Sequence, residues 1–172
     1  VVGERDGELV GTGLIAYRRV YLNGVPAEVG YLSSLRADPA VRNTTALARG
    51  YRFFAELHRQ ANRVPFYLST IMEENRMARE ILTSGRAGLP AYHELGRYQT
   101  VAIPLLPRRR AADTGPIRVL HGPEVGVEAV AASLQACGAQ RQFYRAYTAE
   151  DIRSPGGLLR SLAPDDFRAA VR

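Results

Sequence analysis

Apolar and polar positions change period several times along the chain, and each change marks an element. Glu8 to Leu22 and Val25 to Arg36 follow the two-residue rhythm of half-buried strands. Arg5-Asp6-Gly7, after Val1-Val2, and Asn23-Gly24, between the two long runs, are hairpin signals because Asn, Asp and Gly tolerate the positive φ of a tight turn. Three meandering antiparallel strands are therefore predicted. Beyond them Leu47, Tyr51, Phe54 and Leu57 recur at helical spacing with Arg49, Arg52, Glu56 and Arg59 between, which predicts an amphipathic helix over Asn43 to Asn62. Pro65 to Ile71, β-branched and aromatic, reads as a buried strand. Glu73 to Thr83 reads as a second helix ended by Ser84-Gly85, and Tyr98 to Leu106 as a last strand closed by Pro107.

A Pro/Ala/Asp/Thr/Gly stretch over 107–116 reads as a linker between a first block, 1–106, and a second, 117–172. The second block predicts a strand at Ile117 to Leu120 and a helix from Glu124 to Ala136 ended by Gly138. A short helix opening at Thr148-Ala149-Glu150-Asp151 and a strand from Phe167 to Val171 complete it. The fold class expected is α/β (α+β), a mixed and mostly antiparallel sheet flanked by helices.

Composition narrows the function classes. With 172 residues, 46% of them hydrophobic, the chain can bury one sizeable core and is not disordered. No apolar run approaches the ~20 residues of a membrane span, and no signal-peptide pattern is present. The one cysteine, Cys137, excludes an intramolecular disulfide, fits a reducing compartment and is expected to pack as a small hydrophobe. A soluble cytoplasmic protein is the expectation. The net charge of +6 rests on 23 basic residues, all arginine, dispersed except for Arg108-Arg109-Arg110. No recognition motif accompanies that charge, so nucleic acid is not the expected partner, although a polyanionic cofactor would suit it.

Candidate chemistry gathers between Tyr31 and Leu57. An apolar strand runs through Asp38-Pro39 into Asn43, Thr44 and Thr45, good capping residues at the opening of the helix. The unpaired backbone N–H groups there, the helix dipole and the adjacent Arg42 make a ready site for an anion. Strand alternation sets Glu28 on one face with Leu32, Ser34 and Arg36, and Val29, Tyr31, Ser33 and Leu35 on the other. His58, His93 and His121 lack ligand-type neighbours at metal spacing, so no metal is expected. Ser33 and Ser34 lack a nucleophile elbow.

These residues resemble the GNAT acyltransferase family, whose members transfer an acyl group from acyl-CoA, usually to an amine. The resemblance covers residues 1–106. In the family a phosphate-binding turn reads Arg/Gln-x-x-Gly-x-Gly/Ala after a strand ending apolar-x-Val-x-Pro. Leu35-Arg36-Ala37-Asp38-Pro39 matches the strand end and Arg42 the first motif position, while Thr45 and Leu47 stand where the glycines would be. Glu74-Asn75-Arg76-Met77-Ala78 resembles the family's Asn-x-x-Ala signature, whose asparagine touches the cofactor arm. The resemblance thus implies acetyl-CoA as cosubstrate, held by Leu35, Ala37, Arg42, Asn43, Thr44, Thr45, Ala46, Leu47 and Asn75. A backbone N–H on the splayed strand near Ala37 would polarise the thioester carbonyl.

The same resemblance bears on catalysis and partners. The family's general-acid tyrosine would fall at Leu82, which cannot donate a proton, leaving Tyr92 or Tyr98 in the following segment as substitutes, Tyr92 being the candidate acid. Glu28 lies on the strand where the family places a carboxylate or a water to deprotonate the amine. Two functions stay open: an acyl-CoA-dependent N-acyltransferase working in a ternary complex, and a catalytically degenerate GNAT-like module with a structural, regulatory or partner-binding role. The acceptor would be an amine on a small molecule or a peptide. Gln140-Arg141-Gln142-Phe143-Tyr144 and Leu162-Ala163-Pro164-Asp165-Asp166-Phe167 resemble the opening of a second copy in tandem GNAT proteins, so the partner expected is a second GNAT domain or another copy of the chain. The second block then either completes the sheet of 1–106 or belongs to that neighbour.

Overall fold

Both hairpins form where the turn residues predict them. In a computed structural model Asp6 and Gly7 take φ of 54° and 82°, and Asn23 and Gly24 take 50° and 80°. This succession of two left-handed residues is what a two-residue turn between twisted strands requires. The structure describes residues 1–41, 44–86, 88–102, 104, 115–121, 124–153 and, for the backbone alone, 168–171. Strands β1 (Val2–Arg5), β2 (Glu8–Leu22) and β3 (Val25–Ala37) meander, and the short β4 (Tyr67–Leu68) adds to β3 in the order β1-β2-β3-β4. The sheet is antiparallel except at β4, which pairs in parallel through Gly30 with Tyr67 and Tyr31 with Leu68.

Two compact units divide the chain, one of residues 1–19 and 28–97, the other of 20–27 and 98–172. In the first, a 3-10 turn (Pro39–Val41) leads from β3 to helix α1 (Ala46–Ala61), and helix α2 (Arg76–Leu82) follows β4. Val29, Val41, Val64 and Leu82 are its buried hydrophobics. Val29, 1% exposed, is the most completely buried, worth about 1.5–3 kcal/mol relative to exposure. α1 is strongly amphipathic, with Leu47, Tyr51, Phe54, Leu57 and His58 half-buried and Arg49, Arg52 and Arg59 exposed.

Several predicted elements shrink. The Pro65 to Ile71 run keeps only two residues in the ladder, because Pro65 has no N–H to give and the backbone turns away after Leu68. α1 begins at Ala46; Asn43, where the helix was predicted to open, lies outside the described residues. At its other end Asn62 takes the left-handed conformation, φ 40°, and its N–H closes on His58 O at 2.7 Å. α2 opens at Arg76 rather than Glu73 because Asn75 caps it, its Oδ1 accepting from Ala78 N at 3.2 Å. The described residues of the Tyr98 to Leu106 run are not a strand: Tyr98 and Val101 are 83% and 76% exposed, and among the described residues none of the run pairs with a strand. Ile103, Leu105 and Leu106, like 107–114 of the predicted linker, lie outside the described residues.

The second unit is built on the tip of the β2–β3 hairpin. Val20 and Tyr21 are buried, Tyr21 exchanges backbone bonds of 2.8 Å with Phe143 and Tyr144, and Val20 bridges to Arg145. Asn23 and Gln142 add a reciprocal pair, Asn23 N to Gln142 Oε1 at 3.1 Å and Gln142 Nε2 to Asn23 Oδ1 at 2.8 Å. Strand β5 (Arg118–His121), helix α3 (Val127–Gly138), helix α4 (Ala149–Arg153) and strand β6 (Arg168–Val171) keep the predicted order. α4 opens with a reciprocal cap: Thr148 N donates to Asp151 Oδ2 at 2.9 Å and Asp151 N to Thr148 Oγ1 at 3.2 Å. The Thr148 backbone bond in turn holds the Asp151 carboxyl below its ordinary range. β5 pairs antiparallel with β6 in a two-stranded sheet of their own. Cys137, expected to pack inward, is exposed: it lies on the open side of α3, while Gly138 beside it is buried. Among the described residues no helix is long and apolar enough to cross a membrane.

Candidate functional site

The anion turn is best understood from what its hydroxyls do. Asp38 Oδ1 accepts from Ala40 N at 2.7 Å and sets the 3-10 turn after Pro39. Thr44 Oγ1 donates back to Val41 O at 2.6 Å while accepting from Ala46 N at 3.2 Å. Thr45, in the N-cap position, makes no side-chain cap bond, so the capping expected of Thr45 passes to Thr44. Among the described residues no acceptor serves the backbone N–H groups of Leu47 and Ala48, and the first turn of α1 holds no acidic side chain. Backbone N–H groups at the start of a helix, together with the helix dipole, are the setting in which an anion is commonly held. Arg42 and Asn43 lie outside the described residues.

Between this turn and the sheet a wedge opens. The β3–β4 ladder stops at Tyr31, and from Leu32 to Ala37 β3 continues without a β4 partner among the described residues. The strand also carries an extra residue. Asp38 N bonds to Val10 O at 2.9 Å, one residue out of step with a hairpin closing on Leu22 and Val25, and Ser34, at φ 54°, marks the bulge. Leu35 and Ala37, both exposed, line the end of the strand nearest the turn.

A network of hydroxyls lies on the α1 side of the sheet. Tyr92 Oη is 3.2 Å from Tyr51 Oη on α1 and 3.4 Å from Ser69 Oγ just past β4. Burial first, then the bond to Tyr92, pushes the Tyr51 phenol far above its ordinary pKa. A second pair adjoins it, with Tyr67 Oη 3.1 Å from His58 Nδ1 and the Phe54 ring edge-on to Tyr67 at 4.7 Å between centroids. Burial, and then the neighbouring Tyr17, push Tyr67 up to about 12. The Tyr67 ring fills the space over Gly30, where a Cβ would overlap it. Tyr92, singled out from the sequence, thus sits in a connected set. Tyr51, Ser69, His58 and Tyr67 were not singled out as chemistry, although Tyr51, Phe54 and His58 recur at helical spacing and could have been read as a polar-tipped aromatic stripe.

Glu28 faces a cation. Arg63 Nε and one terminal nitrogen both bond its carboxylate at 2.7 Å, and the guanidinium lies 4.2 Å over the Tyr17 ring. The bidentate Arg63 bond holds the Glu28 carboxyl below its ordinary range, which weakens it as a proton acceptor. Asn75 spends its oxygen on the α2 cap, and its amide nitrogen is left as a donor. Leu82, at the position of the family's acid, is buried. No group of three or more metal-ligating side chains occurs among the described residues.

No protein-family model matches the chain, and no curated protein is similar to it. Among solved structures, the aminoglycoside N-acetyltransferase AAC(6')-Iy in complex with CoA is similar at 17% identity, over 60% of this chain and 73% of that one, with a TM-score of 0.46. The aminoglycoside 6'-N-acetyltransferase AAC(6')-Ih from Acinetobacter baumannii is similar at 18%, over 60% and 68%, with a TM-score of 0.44. Glucosamine-6-phosphate N-acetyltransferase from Arabidopsis thaliana is similar at 16%, over 56% and 63%, with a TM-score of 0.38. The chain itself is a mixed α/β protein whose mostly antiparallel sheet is flanked by helices, the class its residue pattern predicts.

Proposed function

We propose that the chain binds an acyl-CoA and transfers its acyl group to an amine, as the resemblance to GNAT acyltransferases implies. The observation that carries the reading is the wedge between β3 and β4, which ends near the first turn of α1. A pyrophosphate at the Leu47 and Ala48 amides, with Arg42 as a further donor, leaves the pantetheine arm to lie along Leu35 and Ala37, where it would pair with their amides in place of a missing strand. The thioester then reaches the bulge at Ser34, where the ladder is interrupted and backbone N–H groups can polarise its carbonyl. A neutral amine attacks that carbon and loses its proton to water, the thiolate leaves, and Tyr92 stands as the candidate donor to it.

A second reading has its own support. Glu28 is tied to Arg63, Leu82 replaces the usual acid, and Leu47 stands where a glycine would admit phosphate closely. Those features suit a module that has kept the fold and lost the chemistry. Both readings are tested together. At 100 times its dissociation constant acetyl-CoA adds ~2.7 kcal/mol, or ~5–10 °C in Tm for a domain of this size. Arg42→Ala should weaken binding and Thr45→Gly preserve or strengthen it. No shift at millimolar CoA sinks the acyltransferase, whereas binding without turnover on any of a panel of amines selects the degenerate module.

A further inference from the structure

Two exposed features of the first compact unit match one another, and neither carries the proposed chemistry. One is the solvent face of α1. Arg49, Arg52, Phe53, Glu56 and Arg59 fall within an arc of about 120°, opposite the half-buried Leu47, Tyr51, Phe54, Leu57 and His58. Phe53 is 53% exposed. Glu56, the one acid on that face, is taken by Arg59 and Gln60, so among the described residues no carboxylate pairs with Arg49 or Arg52. Arg49 also stands near the positive end of the helix dipole and repels Arg52 at i,i+3. An anionic surface laid against them would offset that cost.

The other is a hollow of about 260 Å³ at the tip of the β1–β2 hairpin, larger than the ~150 Å³ that holds a benzene ring. Leu9, Val10 and Val41 line it together with Arg5, Asp6, Glu8 and Asp38, so one cation stands among three carboxylates. Asp6 approaches Arg5 at 3.6 Å and Asp38 Oδ1 accepts from Ala40 N, whereas Glu8 has no cation partner among the described residues. Leu9 is 62% exposed. The excess negative charge of the hollow complements the two unpaired arginines of α1, and its apolar lining suits the ring beside them. We infer that Phe53 of one copy of the chain seats in the hairpin hollow of a second copy, with Arg49 and Arg52 against its carboxylates. The exchange is reciprocal, so a two-fold dimer makes the contact twice and leaves no patch open for further growth. It stands whether or not the acyl-CoA reading does.

Sedimentation velocity on the full chain, without CoA and over a range of concentrations, tests it. The native protein should form a dimer that weakens as salt is raised. Phe53→Ala, Arg52→Glu and Glu8→Arg, all at exposed positions, should each weaken the dimer about ten-fold or more. Mixing Arg52→Glu with Glu8→Arg should restore it, since one contact then pairs the two reversed charges and the other is native; that recovery also shows that both variants are folded. Arg79→Glu, a reversal on the exposed side of α2, should leave the dimer as it was. A native chain that stays monomeric at every concentration overturns the inference. So does a dimer that the three variants leave intact, one that Arg79→Glu weakens equally, or a mixture in which no dimer returns.

Discussion

At the scale of single residues, exposed charge and half-buried phenol behave differently. Glu28 and Arg63 keep side-chain exposures of 37% and 51%, so their bidentate pair is screened by solvent and stabilises modestly. Because the folded pKa of Glu28 lies below its unfolded value, that contribution is fully present above the ordinary glutamate pKa of ~4.3 and fades as pH falls through the lower folded value. Glu28→Gln should therefore lower Tm by ~1–3 °C at neutral pH and by progressively less in acid, measured by scanning calorimetry across pH. If Glu28 were the base, the same variant would also remove most turnover; the pairing with Arg63 predicts that it does not. Sequence alone could place Glu28 on a face of β3. It could not supply Arg63, which follows α1 and is 35 residues away.

At the scale of elements, sequence periodicity served best where the pattern was long and local. Fifteen residues of alternation gave β2 to the residue, and the turn residues gave both hairpins. Short elements were legible only as tendencies. β4 is limited to two residues by where the backbone leaves β3, and α2 starts late because a side-chain cap outweighs the preceding glutamates. The bulge at Ser34 carried no sequence signal, since serine has no special preference for positive φ. The β3–β4 junction supplies a test. Gly30→Ala forces a Cβ into the Tyr67 ring and should destabilise by ~1–3 kcal/mol. Pairing it with Tyr67→Ala should cost less than the sum of the two single changes, a coupling read from urea unfolding.

At the scale of the whole molecule, the link that mattered was the least visible. The hairpin tip, residues 20–27, belongs to the same compact unit as residues 98–172. Nothing in the strand pattern of Val20 to Ala27 announces that its partners are Gln142 to Arg145, because periodicity reports which face is apolar and not what covers it. A division of the chain at 107–116 would leave that tip bare. Truncation after Arg97 removes the cover of Val20 and Tyr21, 4% and 6% exposed in the intact chain. The fragment should accordingly bind more of a hydrophobic dye and show a lower Tm than the full chain. A fragment as stable as the parent, with no added dye binding, would show that the tip needs no cover.

The Asn23–Gln142 pair spans 119 residues of chain, and this has a consequence for synthesis. The ribosome completes the hairpin long before it makes the residues that cover its tip. At ~5–20 residues per second, Val20 and Tyr21 wait on the order of ten seconds for Tyr144 to emerge. During that interval the nascent chain presents a twisted, apolar-ended ribbon to whatever it meets, and its yield in a cell should depend on a chaperone that can hold such a ribbon at the tunnel exit.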